Sequence, residues 1–298
     1  MATPAPGAPS APTPPPNAAA AALDESDARR PGFSKAEMNK QAYAVAEAIL
    51  RCGAILLVSG CQVRTVEDTM VRFGRTFQGV DDCNAYVTLT GIIVSVTADD
   101  DTVTKIVRID SVSHDLWAVA RTLHLAHRCE KDPMTPDQVM AEIQNIENAP
   151  LHGNRTMALA WAVGALGCAI FYGYTGPMLV TFAAVAVGAL ATFGAGLLSD
   201  RLLPNPYVGI IVQAGVATGV CVLFHRFFPT TDMESMLIPI LMLLVPGMTF
   251  TNSLLDTLSG DYLSGVARLS VALLVGVSIA IGTSIVLHYS GVLTWSPS

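Results

Sequence analysis

The sequence predicts an α-helical membrane bundle of about five transmembrane helices, preceded by a small α+β cytoplasmic domain. Charge is the first sign: of 17 basic and 24 acidic residues, all but eight precede residue 156, and no lysine follows Lys131. The second is a set of five apolar runs, at 156–174, 178–198, 207–228, 235–255 and 265–288. Each is close to the roughly 20 residues that cross a bilayer core. The third is the charged first half, where helical and strand periodicities alternate. Three regions follow: a Pro/Ala-rich tail over 1–32, expected to be disordered, a soluble domain over 33–150 and a five-span domain over 151–298.

The tail has neither a basic start nor a long apolar core, so a cleaved signal peptide is not expected and the first domain should stay cytoplasmic. Ser34, Lys35, Ala36 and Glu37 form a capping box opening a helix that runs to about Ser59-Gly60. A second helix, 65–77, carries Val66, Met70 and Phe73 on one face. Runs 86–90, 92–98 and 102–109 read as an antiparallel meander, with Asp99-Asp100-Asp101 as a solvated turn. Two helices close the domain: 116–128, capped by Ser113 or Asp115, and one opened by Thr135-Pro136-Asp137-Gln138.

Several chemistries are not signalled. No basic stripe interleaves with aromatics, so no nucleic-acid partner is expected. Six cysteines lack a CxxC pair and read as reduced, small apolar residues. His124, His127 and Cys129 lie close along a helix, but Cys129 is on a different face from His124 and no fourth ligand is signalled, so no metal is expected, nor any other cofactor. Ser113-His114-Asp115 has the residue types of a hydrolase triad, but consecutive side chains point apart. No catalytic residue is assigned.

In the apolar half, Arg155, Arg201 and Arg268 lie on one side of the expected spans and Arg226 on the other. The positive-inside rule then puts the N-terminus in the cytoplasm and the C-terminus outside, and a multi-pass protein of the cytoplasmic (inner or plasma) membrane is expected. Small residues recur at every fourth position, at Ala184, Gly188, Thr192 and Gly196 and again at Gly215 and Gly219, spacing that lets helices approach closely. The fourth run contains Pro239 and Pro246, and should kink or break near Pro246-Gly247. Beyond it, Asn252 and Asp256 share a helix face, Asp261 and Arg268 follow, and an Asp–Arg pair across this hairpin is expected. Charge at the bilayer centre needs a partner or water. Two alternatives stay open: a broken-helix binding site, or a capped cytoplasmic turn with Arg268 reaching the headgroups.

The string Pro246, Gly247, Asn252, Asp256, Gly260, Asp261, Gly265 and Arg268 has the spacing PGxxxxNxxxDxxxGDxxxGxxR. It resembles the threonine/serine exporter family, including a bipartite type whose larger subunit carries the soluble domain and is related to a succinate exporter. Weaker matches are Val66-Glu67-Asp68-Thr69-Met70, Thr90-Gly91-Ile92, 104–109 and Asp115-Leu116. Where the family leads one to expect Gly-Ala-Glu, this chain has Gly60-Cys61-Gln62. The resemblance implies export of a small polar or anionic metabolite, threonine or serine, with succinate as the close alternative. It implies that the eight residues of the string line a transport pathway, and that a small multi-span membrane partner completes the hetero-oligomer; a homo-oligomer is also allowed. A membrane-tethered hydrolase or a sensor are the more remote alternatives.

Overall fold

The computed structural model describes residues 35–98, 101–110, 112–149, 153–174 and 176–291. The tail over 1–32, Ser34 of the expected capping box and Asp99-Asp100 of the expected turn lie outside the described residues.

The N-terminal unit runs α1 (Lys35–Val58), α2 (Val63–Gly74), β1 (Asp82–Thr88), β2 (Gly91–Ala98), β3 (Asp101–Arg108), α3 (Leu116–Lys131) and α4 (Pro136–Glu147). The strands pair in the order β1-β2-β3, both ladders antiparallel, as the meander pattern predicts. β1 starts four residues before the expected Tyr86. Cys83, Ala85 and Val87 keep the inward alternation, and the polar Asp82 and Asn84 occupy the outward positions between them. On the inner face Ile92, Val94 and Val96 meet α1, whose Val45, Ile49, Cys52 and Leu56 are buried in the same core as Val66, Met70 and Phe73 of α2. Asp115 caps α3 by accepting from the N–H groups of Trp117 and Ala118. Thr135 and Gln138 form the reciprocal capping box of α4. His124 and His127 face solvent while Cys129 faces the core.

The helical part runs α5 (Asn154–Tyr172), α6 (Met178–Leu202), α7 (Pro206–Phe227), α8 (Met233–Leu241), α9 (Gly247–Leu258) and α10 (Tyr262–Tyr289). α7 packs between α6 and α10, α5 lies on α6, α8 touches α5, α6 and α7, and α9 packs on α10. Five described helices are long and apolar enough to cross a membrane, and four of them, α5, α6, α7 and α10, match expected spans. The fifth is α1. Its apolar stretch is 56% buried within the protein, against 11 to 33% for the other four, so its apolar residues serve the α+β core.

The expected fourth span is divided in two. α8 ends at Leu241, the chain turns over 242–246, and α9 begins at Gly247. Pro246 brings no N–H to continue the helical ladder, and its ψ of 58° turns the backbone out of helical geometry.

Small residues seat the helices as their spacing suggests at most positions. Ala184, Gly188 and Thr192 are buried; a Cβ on Gly188 would strike Ile240 of α8, and one on Gly196 would come 3.2 Å from Gln213 Oε1 of α7. Gly215 faces Gly282 across the α7–α10 contact. Gly219 is different, because a Cβ there meets nothing within 4 Å. Its place in the fourfold repeat does not produce a close approach.

Gly282→Ala should therefore destabilise the α7–α10 pair by about 1–3 kcal/mol, since the new methyl meets the Ile211 carbonyl oxygen and cannot relax by side-chain rotation. Gly219→Ala should be neutral, or stabilising by less than about 1 kcal/mol. Thermal unfolding in detergent separates the two.

Candidate functional site

Two helix ends of the same design meet at the junction between the α+β unit and the α9–α10 hairpin. At the end of α1, the Gly60 N–H bonds Leu57 O at 3.1 Å and the Cys61 N–H bonds Leu56 O at 3.0 Å. At the end of α9, the Gly260 N–H bonds Thr257 O at 3.1 Å and the Asp261 N–H bonds Asp256 O at 2.9 Å. Both are Schellman closures, and both require a left-handed residue, supplied by Gly60 at φ 88° and Gly260 at φ 97°. The first turn is held from behind: the Ser113 N–H donates to Val58 O at 2.6 Å and the Asp115 N–H to Ser59 O at 3.1 Å.

Against this turn the hairpin presents its polar residues. Asn252 Nδ2 donates to Gly60 O at 2.8 Å, and Arg268 Nη2 donates to Cys61 O at 2.7 Å. Asp256 Oδ1 accepts from the Val63 N–H at 3.1 Å. At the margins, Gln62 Nε2 donates to Ser259 Oγ at 3.3 Å, Arg64 to Ser259 O at 3.4 Å, and Thr249 Oγ1 lies 3.2 Å from His114 Nε2. Thr249, Asn252 and Asp256 of α9 and its C-cap residue Ser259 thus form one stripe.

The centre of the site is an ion pair. Arg268 Nε lies 2.9 Å from Asp256 Oδ2, with side chains 3% and 0% exposed. The sequence leaves open which carboxylate Arg268 takes; the fold selects Asp256. Gly265 makes this possible, since a Cβ there would collide with Thr257 Oγ1 and sit 2.9 Å from Ser253 O, so only glycine lets α10 lie this close to α9. The carboxylate also sits at the N-terminal turn of α2, where the helix dipole favours negative charge. Although Nε and Oδ2 are close, neither makes an aligned hydrogen bond. The pair is a charge contact with bonding capacity to spare.

The rest of the string is spread around this centre. Pro246 and Gly247 form the break ahead of α9, with Pro246 O accepting from the Phe250 N–H at 2.9 Å. Asp261 occupies the N-cap position of α10, but its side chain makes no capping bond. Its charge acts instead on Glu67 of α2, whose Oε1 accepts from the Val87 N–H at 2.9 Å. Burial is the main reason the Glu67 carboxyl is pushed above its ordinary value of 4.5, and Asp261 adds to that. Sequence patterns do not reveal Gly60, Cys61 and Val63 as partners, because they contribute backbone atoms. The sole signal is that Gly60-Cys61-Gln62 departs from the expected family string.

A family model described as "Putative threonine/serine exporter" matches residues 47–289. The chain belongs to the threonine/serine exporter family. The match covers the α+β core, the junction and the helices. Over 247 residues the chain is 29% identical to a "Probable threonine/serine exporter" of Mycobacterium tuberculosis, covering 82% of this chain and 46% of that protein. It spans about half the length of that relative. It is also 26% identical to proteins named "Probable succinate transporter subunit YjjP" from Klebsiella aerogenes and Escherichia coli, over 85% and 86% of this chain and 96% and 98% of theirs. No solved structure matches the chain.

Two predictions follow from the junction. Arg268→Ala strands a buried carboxylate and should cost about 3–5 kcal/mol. Asp256→Ala together with Arg268→Ala should cost less than the sum of the single changes, a coupling that a thermal-unfolding double-mutant cycle in detergent measures. For Glu67, a raised folded-state value means the native state holds its proton more tightly than the unfolded chain. The carboxylate's contribution to stability therefore falls as pH rises from 4.5 through the folded value. Glu67→Gln keeps an oxygen for the Val87 N–H and should flatten the stability profile over that window.

Proposed function

We propose that this chain is a subunit of a cytoplasmic-membrane exporter of small polar metabolites, of threonine/serine type, with a dicarboxylate such as succinate as the close alternative. Family membership carries the exporter reading, supported by a helix that breaks one turn before a set of charged and amide side chains. Broken backbone at membrane depth is tolerated where it is enclosed by protein or lines a polar cavity, and transporters bind substrate at such breaks. The dicarboxylate alternative draws on the near full-length match to the two relatives named as succinate transporter subunits.

In this reading the pathway follows Pro246, Gly247, Asn252, Asp256, Gly260, Asp261, Gly265 and Arg268. The divided span gives way at Pro246-Gly247, while Asn252 and the guanidinium of Arg268 receive a carboxylate, a group shared by both substrate classes. Asp256 and Asp261 discriminate charge or carry a coupling proton. Residues 33–150 form the cytoplasmic domain and 151–298 the membrane domain, oriented by Arg155, Arg201 and Arg268. A small multi-span membrane subunit completes the assembly, consistent with the word subunit in the names of the relatives and with the greater length of the mycobacterial protein. The chain works as a transporter and not as an enzyme.

The test is export of labelled threonine, serine and succinate from cells expressing the chain with and without its partner. Asp261→Asn and Arg268→Ala are expected to reduce export to the background of cells lacking the chain, at undiminished membrane insertion. Export that survives both changes removes these residues from the pathway.

A further inference from the structure

The residues placed in the pathway already have a ligand, and it is the protein's own backbone. Asn252 and Arg268 are donors to Gly60 O and Cys61 O, and Asp256 is acceptor to the Val63 N–H. A solute carboxylate reaching Asn252 and Arg268 would have to sit where these two carbonyls now lie, because the Arg268 side chain is 3% exposed with the turn in place. The two occupancies exclude each other. From this geometry we infer that the 60–63 turn is an intramolecular gate, which must lift off the α9–α10 hairpin before solute reaches Arg268. The inference rests on the exporter reading and adds a moving part to it.

Three features suit the turn to this role. The α+β unit has its own hydrophobic core, built from residues between Val45 and Ile146, and the α9–α10 hairpin lies outside both that core and the second one, built from residues between Ala165 and Ile240. The hydrogen bonds described between the α+β unit and the hairpin are polar side-chain contacts, so the two part without opening either core. The turn is preformed, since Gly60 is packed so tightly against the Ser113 backbone oxygen that a Cβ would come within 2.7 Å of it. It therefore docks and leaves as a rigid piece at little cost in conformational entropy. Finally, Arg268 Nε and Asp256 Oδ2 lack aligned hydrogen bonds while sealed from solvent. Opening gives both charges water or solute, which offsets part of the cost of undocking.

A reversible cross-link tests the gate. Gln62 and Ser259 touch across the junction, so Gln62→Cys and Ser259→Cys place two thiols there, in a chain also carrying Cys61→Ser and Cys168→Ser. A short, cleavable bis-maleimide avoids the strict geometry a direct disulfide would need. Linked protein is expected to lose export down to the background of cells without the chain, and cleavage of the linker to restore it. In the native chain, transported solute is expected to speed alkylation of Cys61 by a maleimide. Linked protein that exports as fast as the same protein before linking, or Cys61 labelling that solute leaves unchanged, overturns the gate alone. If the native chain with its partner moves none of the three solutes, the exporter reading falls, and the gate with it.

Discussion

Asp256 and Arg268 are opposite charges held out of water, and that condition organises the junction around them. A buried ion pair gains little over its desolvation unless the remaining polar atoms of both groups find partners. Here the partners come from outside the hairpin. The second oxygen of Asp256 takes the first N–H of α2, and a terminal nitrogen of Arg268 takes the carbonyl of Cys61. Gly265 is needed to bring the two helices close enough, and Gly60 to shape the turn that supplies the backbone atoms. A single electrostatic requirement thus ties together residues about 200 positions apart in the chain.

The same requirement explains how two units with independent apolar cores come to be joined. Side chains in each core pack with their own neighbours, and the described hydrogen bonds between the α+β unit and the hairpin run from side chains to backbone atoms and to other polar side chains. Such a boundary is specific in register and weak in burial. The division of the fourth span adds a second place to yield, because α9 is attached to α8 only through 242–246 and packs mainly on α10. The hairpin is therefore anchored to the bundle through α10, which packs along α7, while its α9 end meets the α+β unit through polar contacts.

Local signals carried far in the α+β unit. Val66, Met70 and Phe73 were legible as one helix face because the 3.6-residue period acts within a dozen residues, and all three are buried. The meander and the Thr135 capping box were legible for the same reason. Polar outward residues hid the start of β1, since Asp82 and Asn84 look like loop until they are seen to alternate with Cys83 and Ala85. Spacing misleads at Gly219, where a fourfold repeat continues past the surface that another helix covers.

What the sequence by itself determined is what depends on neighbours along the chain: the helices and strands, the break at Pro246, where a missing N–H ends a ladder whatever surrounds it, and a clustered set of polar residues beyond it. Only the tertiary structure decided that Arg268 takes Asp256, that Asp256 takes the Val63 N–H, and that Asn252 meets Gly60. The physical reason is that these partners are backbone atoms and distant side chains. A carbonyl oxygen has no identity in sequence, and it becomes a ligand only when folding brings it to a guanidinium that has nowhere else to go.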